Sequence, residues 1–256
     1  MGSKRPTLYV ISGSHACRTA MLMLEHKGVD YRRVVLPTGP HGLLVQVLGF
    51  PGNRTPIRQV DGATHRMLAM LDRVGTVPAL RYGEHRVQHN HEIARFLDRE
   101  VPESPLFPAD SKRRAAVEEA EAWGDEVFQM AARRIVLAAS LHGLDALRNR
   151  GGKGRLGALL APSEMLRRFA SRGARMSFRV NPGNETRLLG ELGGMLERID
   201  AWIEAGVLNG DELNAADYVI APSIALLSYR LDLQSQIGAR AAGALVDRVV
   251  PEPRED

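Results

Sequence analysis

The chain has 256 residues, 44% hydrophobic and 25% charged, with a net charge of +4. Such a length and balance fit one large or two ordinary globular domains with a sizeable core, and exclude a disordered or low-complexity chain. The charge surplus is too mild to imply a polyanionic partner, and the single cysteine, Cys17, excludes an internal disulfide framework and suits a reducing compartment.

The first hundred residues alternate strand and helix patterns. Thr7–Ile11 reads as a strand, Ala16–Lys27 as a helix stopped by Gly28, and Tyr31–Leu36 as a second strand. A β-α-β unit this compact predicts a parallel pair. Between Thr38 and Leu71 turn signals accumulate at Gly39-Pro40, Pro51-Gly52-Asn53 and Thr55-Pro56, around two short helical candidates, His41–Leu48 and Thr64–Leu71. Thr76–Tyr82 and His85–Gln88 flank Gly83-Glu84 as a hairpin, and Glu92–Glu100 follows as a helix. Three prolines within Val101–Pro108 mark a linker, and beyond it the pattern is helical.

Ser111–Leu141 reads as one long helix or two, and Asn184–Ala205, Asn214–Tyr229 and Leu233–Val249 follow. Asn214 is placed as an N-cap, with Asp217 reaching back to its amide and Leu213 and Tyr218 as a hydrophobic staple. The reading is therefore an α/β domain over residues 1–100, a linker over 101–110 and an all-helical domain over 111–256. The start has no long apolar core of a signal peptide, and the apolar run near 219–227 is interrupted by Pro222 and Ser223 and too short for a bilayer. A cytoplasmic protein without membrane attachment is expected.

The most chemically suggestive stretch is Ser12-Gly-Ser-His-Ala-Cys-Arg18, between the first strand and the first helix. Amide groups at a helix start point outward, and the dipole favours negative charge there. Ser14 and Cys17 stand at that end, where thiolates are stabilised.

Three segments together resemble the glutathione S-transferase superfamily. Leu8–Arg18 with Leu24–Gly28 is similar to the first strand and helix of its serine-type classes (delta, theta and zeta). Thr76-Val-Pro-Ala-Leu80 resembles the element whose proline is cis in thioredoxin-like folds. Gly210–Asp217 resembles the C-terminal capping motif, with Asn in place of Ser or Thr. The resemblance implies a thioredoxin-like N-terminal domain plus an all-α C-terminal domain, glutathione as co-substrate, and a homodimer. Two departures stand out. His89-Asn90 occupies the place of the acidic or Gln residue and Ser that hold the γ-glutamyl end. The connection from Leu36 to Val77 is long, predicting an inserted loop of about residues 38–72, with Thr38–Asp61 over the site.

By that resemblance Ser14 is the catalytic candidate, donating a hydrogen bond to the thiol sulfur; a plain helix cap is the alternative, and Ser12 a weaker substitute. Val77 and Pro78 would leave a backbone edge for an extended thiol peptide, and His89 with Asn90 would position its far end. Cys17 reads as half of a redox pair or, in the favoured reading, as a packed small apolar residue. His15 would touch an anionic ligand or be a solvated loop residue. Trp123 and Phe128, with Met130, would line an apolar pocket or pack in the core. His85, His89 and His91 lack a recognisable metal-ligand spacing, so no metal is expected. Arg133–Arg179 is strongly basic, with eleven cationic residues against Asp145 and Glu164; it reads as a solvated helical face before a site for acidic substrates, and sparse aromatics speak against nucleic acid. The expected activity is conjugation of glutathione or a related thiol to a small electrophile, and the alternative is a non-catalytic binding or interaction module of the same fold.

Overall fold

A computed structural model of the protein describes residues 5–37, 40–52, 77–142 and 178–251. Strand β1, Thr7–Val10, is buried along its whole length and pairs in parallel with β2, Arg32–Val35. Helix α1, His15–His26, makes the crossover between them. A short helix α2, His41–Val47, follows. Strand β3, Ala79–Tyr82, runs antiparallel to β1, with Ala79 opposite Tyr9, and β4, His85–Gln88, closes the hairpin with Gln88 opposite Ala79. The sheet order is β2-β1-β3-β4. Helix α3, Asn90–Glu100, begins two residues before its sequence pattern does. Leu8, Met23, Leu24, Leu80, Ile93 and Leu97 are fully buried between the sheet and these helices.

The linker is tied down by a buried cation. Lys27 donates to Asp98 Oδ1 at 2.6 Å and to the carbonyls of Val101 and Glu103 at 2.8 and 3.2 Å. Beyond it, Asp110 caps α4, Ser111–Trp123, by accepting from the Arg113 N–H at 2.8 Å. A π-helical turn, Gly124–Phe128, then leads without a break into α5, Gln129–Ala138. The pattern over 111–141 is thus two helices joined by a wider winding. Helix α6, Pro182–Glu204, starts at an Asn181 cap with proline in its first turn, the position proline suits best. Helix α7, Ala215–Leu227, is buried on every side, with α1, α4, α5 and the last helix packed on it. Its capping box is formed as the sequence predicts, with Asp217 accepting from the Asn214 N–H at 2.9 Å. Gly124 meets α7 so closely that a Cβ there would lie 2.9 Å from an Ile220 side-chain carbon.

The predicted helix over Leu233–Val249 is divided. A 3-10 turn, Leu231–Leu233, leads into α8, Gln234–Gly238, and extended backbone at Arg240 separates that from α9, Ala241–Val249. Arg230 holds this corner: it is 5% exposed and donates to the Ile135 carbonyl at 3.0 Å and to Glu185 Oε1 at 2.8 Å. Burial pushes the Glu185 carboxyl upward, but bonding to His142 and Arg230 holds it below its ordinary value. The helical candidate Thr64–Leu71, most of the inserted loop and residues 143–177 of the basic stretch lie outside the described residues. Among those described, no helix is long and apolar enough to cross a membrane.

Candidate functional site

Strand directions gather three segments at one end of the sheet. β1 runs out at Val10 toward Ser12–Ser14. β3 begins beside it, directly after Val77-Pro78, and β4 ends there, directly before His89-Asn90. The Val77–Pro78 bond is cis, as the resemblance implies, and the Pro78 carbonyl accepts from the His89 N–H at 3.0 Å. Two of the three segments are thereby bonded to each other.

Ser14 is the N-cap of α1, half-buried, with extended backbone. Its Oγ accepts from the Cys17 N–H at 3.2 Å. A hydroxyl used this way keeps its own proton to donate. Gly13, at φ +70°, makes the turn into the helix, and Ser12 beside it is exposed. The first turn of α1 contains no acidic residue, so the helix itself supplies no countercharge to its positive end.

His89 caps α3 with φ 71° and ψ 150°, a conformation that strongly favours glycine and recurs at ligand-holding sites. Its side chain makes no capping bond to the helix. Asn90 is 2% exposed, and its Oδ1 has no hydrogen-bond partner. A helix start that offers amide donors, next to a buried acceptor, can receive a carboxylate and an ammonium group together.

His15 is neither solvated nor in a loop. It is the first residue of α1, 3% exposed, with Nε2 3.3 Å from the Gln129 carbonyl, so that nitrogen carries the proton. Burial holds it well below its ordinary pKa, and the Arg133 charge adds to this. Cys17 is 2% exposed, and burial pushes its thiol up to about 11 against the opposing pull of Ser14 and Arg133. It is a packed, neutral sulfur. Trp123 and Phe128 are buried in the helical domain, stacked on each other at 5.3 Å and 12°, with Trp202 edge-on to Trp123. The three clustered histidines face different neighbours: His85 tilts against Phe96 and His91 lies 3.4 Å from Glu121, while His89 caps α3.

No family model and no curated protein matches the sequence. Solved structures do match in shape. A glutathione transferase from Phanerochaete chrysosporium superposes with a TM-score of 0.64 over 100% of both chains at 16% identity. A glutathione S-transferase of Ceriporiopsis subvermispora in complex with glutathione gives 0.62 over 99% of this chain and 100% of that one, also at 16% identity. One from Rhodospirillum rubrum F11 gives 0.55 at 21% identity, over 94% of this chain and 87% of that one. This chain has the two-domain glutathione transferase fold. Within that fold, the helical domain reaches the start of α1 through Gln129, a residue that the sequence pattern does not single out for the site. Arg133 is half-buried, 5.0 Å from the Phe178 ring centroid and 3.7 Å from Met130 Sδ. Its charge bears on His15 and Cys17 of α1 and on His41 of α2, whose ring burial holds below its ordinary pKa. No local sequence signal marks this convergence, because Gln129 and His15 are 114 positions apart.

Proposed function

We propose that the protein is a glutathione transferase-like enzyme that holds glutathione or a related thiol at this sheet end and conjugates it, through its sulfur, to a small electrophile. The observation that carries the reading is Ser14: a half-buried hydroxyl at a helix N-cap, its oxygen accepting from the Cys17 N–H. A free thiol, with pKa about 8.5, is mostly neutral near pH 7, and a donor at a helix start brings it to roughly 6–7. The thiol proton leaves to water, and the Ser14 O–H bonds to the sulfur that remains. That sulfur forms a bond to the electrophilic carbon as the carbon's leaving group departs with its bonding pair.

Binding follows from the neighbouring segments. The Val77 backbone pairs with an extended thiol peptide as an added strand would. The start of α3 takes the carboxylate of its amino-acid end, and Asn90 Oδ1 takes the ammonium. His89-Asn90 thus serves with different side chains where the resemblance implies an acidic or Gln residue and Ser. The same reading extends to a homodimer acting in the cytoplasm.

Glutathione conjugation to chlorodinitrobenzene, compared between the wild type and Ser14→Ala, tests the reading. Losing about two pKa units of thiolate stabilisation lowers kcat/KM near pH 6.5 by roughly 30- to 100-fold. Undiminished activity in Ser14→Ala refutes the role of the hydroxyl. Saturable glutathione binding by calorimetry without turnover identifies a binding module instead.

A further inference from the structure

The Ser14 segment is fastened from the other domain, and the role inferred for that fastening rests on the thiol-transfer reading. Val77-Pro78 and His89-Asn90 are bonded to each other through the Pro78 carbonyl and the His89 N–H at 3.0 Å. Ser14 belongs to the start of α1, and there a tie runs to α5: the His15 ring N–H donates to the Gln129 carbonyl at 3.3 Å. The far end of α1 is tied to the helical domain as well, where the Tyr218 hydroxyl bonds to His26 Nδ1 at 3.0 Å. His15 is the first residue of α1 and His26 the last, so the helix is pinned to α5 and α7 by one imidazole at each end.

Within the first turn Ser14 has little freedom. Its Oγ accepts from the Cys17 N–H at 3.2 Å, and its carbonyl accepts from the Arg18 N–H at 3.0 Å. The hydroxyl therefore moves with the turn, and the turn is seated against α5 at His15, the next residue. That ring is 3% exposed, and the buried Thr19 hydroxyl donates to the His15 carbonyl at 3.3 Å. An apolar ring would fill the same space without the cost of desolvating an imidazole. What the imidazole adds is direction, because a neutral ring has one N–H and satisfies it in one register of α1 on α5. We propose that His15 is a positioning residue for the thiol chemistry: its bond to the Gln129 carbonyl holds Ser14 where the hydroxyl donates to a sulfur anchored by Val77 and the start of α3. His15 acts only through Ser14 and neither gives nor takes a proton in the reaction. Burial keeps the ring neutral, so the tie persists through the working pH range.

The test is an ultraviolet titration of the thiolate band in the glutathione complex, with steady-state kinetics, for the wild type, His15→Phe, His15→Gln and His26→Phe. Phenylalanine keeps the ring and loses the N–H, whereas glutamine brings an amide N–H near the place of the imidazole Nε2. A donor displaced by a fraction of an ångström bonds the sulfur less well, so the thiol bound to His15→Phe titrates about one unit higher. Its kcat falls roughly fivefold near pH 6.5 and recovers above about pH 9, where the thiolate forms unaided. The KM for glutathione stays within about twofold, because the groups that hold the peptide are untouched. His15→Gln stays within a few tenths of a unit of the wild-type pKa, and His26→Phe, at the far end of α1, leaves that pKa unchanged. A general loosening of the domains would not produce a loss confined to His15 that vanishes with pH. A depressed wild-type thiol pKa that is the same in His15→Phe overturns this inference alone, as does a rise that glutamine fails to reverse or that His26→Phe reproduces. A wild type that does not depress the glutathione pKa overturns the thiol-transfer reading itself. If the phenylalanine chain does not fold, His15→Asn, whose amide is too short to reach Gln129, carries the same comparison.

Discussion

Lys27 offers the sharpest test of how the two domains are joined. Its side chain is 0% exposed, and its three ammonium protons are matched by Asp98 Oδ1 and the Val101 and Glu103 carbonyls. Lys27→Met keeps most of the apolar stem and removes the donors. Asp98, 17% exposed, then retains the Leu106 N–H at 2.7 Å as a partner, and two linker carbonyls lose theirs. Breaking a buried ion pair from one side costs about 3–5 kcal/mol, and water reaching Asp98 recovers a part, so about 4 kcal/mol is expected for the whole change. At about 2.1 cal/mol/K of unfolding entropy per residue, that lowers Tm by about 7 °C in a chain of 256 residues. Urea unfolding and thermal melts followed by circular dichroism measure both quantities. Lys27→Met/Asp98→Leu should recover half or more of the loss, because the stranded charge is gone. A single-variant loss under about 1 kcal/mol, or a double variant as unstable as the sum of its singles, refutes the reasoning.

Two further outcomes are expected. Asp217 is fully buried, and burial raises its carboxyl to about 6, above the ordinary 3.8, despite N–H bonds from Asn209 and Asn214. A raised folded-state pKa means the fold prefers the protonated acid, so this group's contribution worsens as pH rises from about 4 to about 6, by about 3 kcal/mol in all. The stability of the wild type relative to Asp217→Asn, followed by urea titration, should therefore fall over that window; a flat difference refutes it. Cys17, with its thiol pushed up to about 11 and 2% exposed, should resist a disulfide reagent near pH 8 in the folded protein and react once per chain in denaturant. Rapid labelling of the folded protein would show that the sulfur is reachable.

What the sequence made legible is what short-range physics determines. The β1-α1-β2 unit, the hairpin and the Asn214–Asp217 box each depend on residues within a few positions of one another, whereas the cis Val77–Pro78 bond was expected from the resemblance alone. Ser14, Val77-Pro78 and His89-Asn90 are marked as site candidates by the resemblance, and the sheet gathers these segments at one end. Long-range pairings left no such trace. Arg230 and Glu185 are 45 positions apart, Lys27 and Asp98 are 71 apart, and His15 meets Gln129 across 114. His15 reads as a loop residue or a ligand contact until α5 is laid against it. Trp123 and Phe128 carry the same composition whether they line a pocket or fill a core, and the packing of Trp202 against Trp123 places them in the core. The last helical pattern is apolar enough for one helix, but Gly238 and extended Arg240 divide it.

The winding at Gly124–Phe128 explains an otherwise odd partnership. Residues five apart on an α-helix point about 140° away from each other, yet the rings of Trp123 and Phe128 lie nearly parallel and in contact. Widening that single loop of backbone brings them into line and, by absorbing one extra residue, turns everything downstream by about 100° relative to a regular coil. Gln129 and Arg133 owe their heading to that offset. The bare Cα of Gly124, pressed against Ile220, is what lets the offset sit flush with α7. Aim, in this molecule, is set by phase: trimming one amino acid from the loop would keep the helices and turn the Gln129 carbonyl away from the His15 ring.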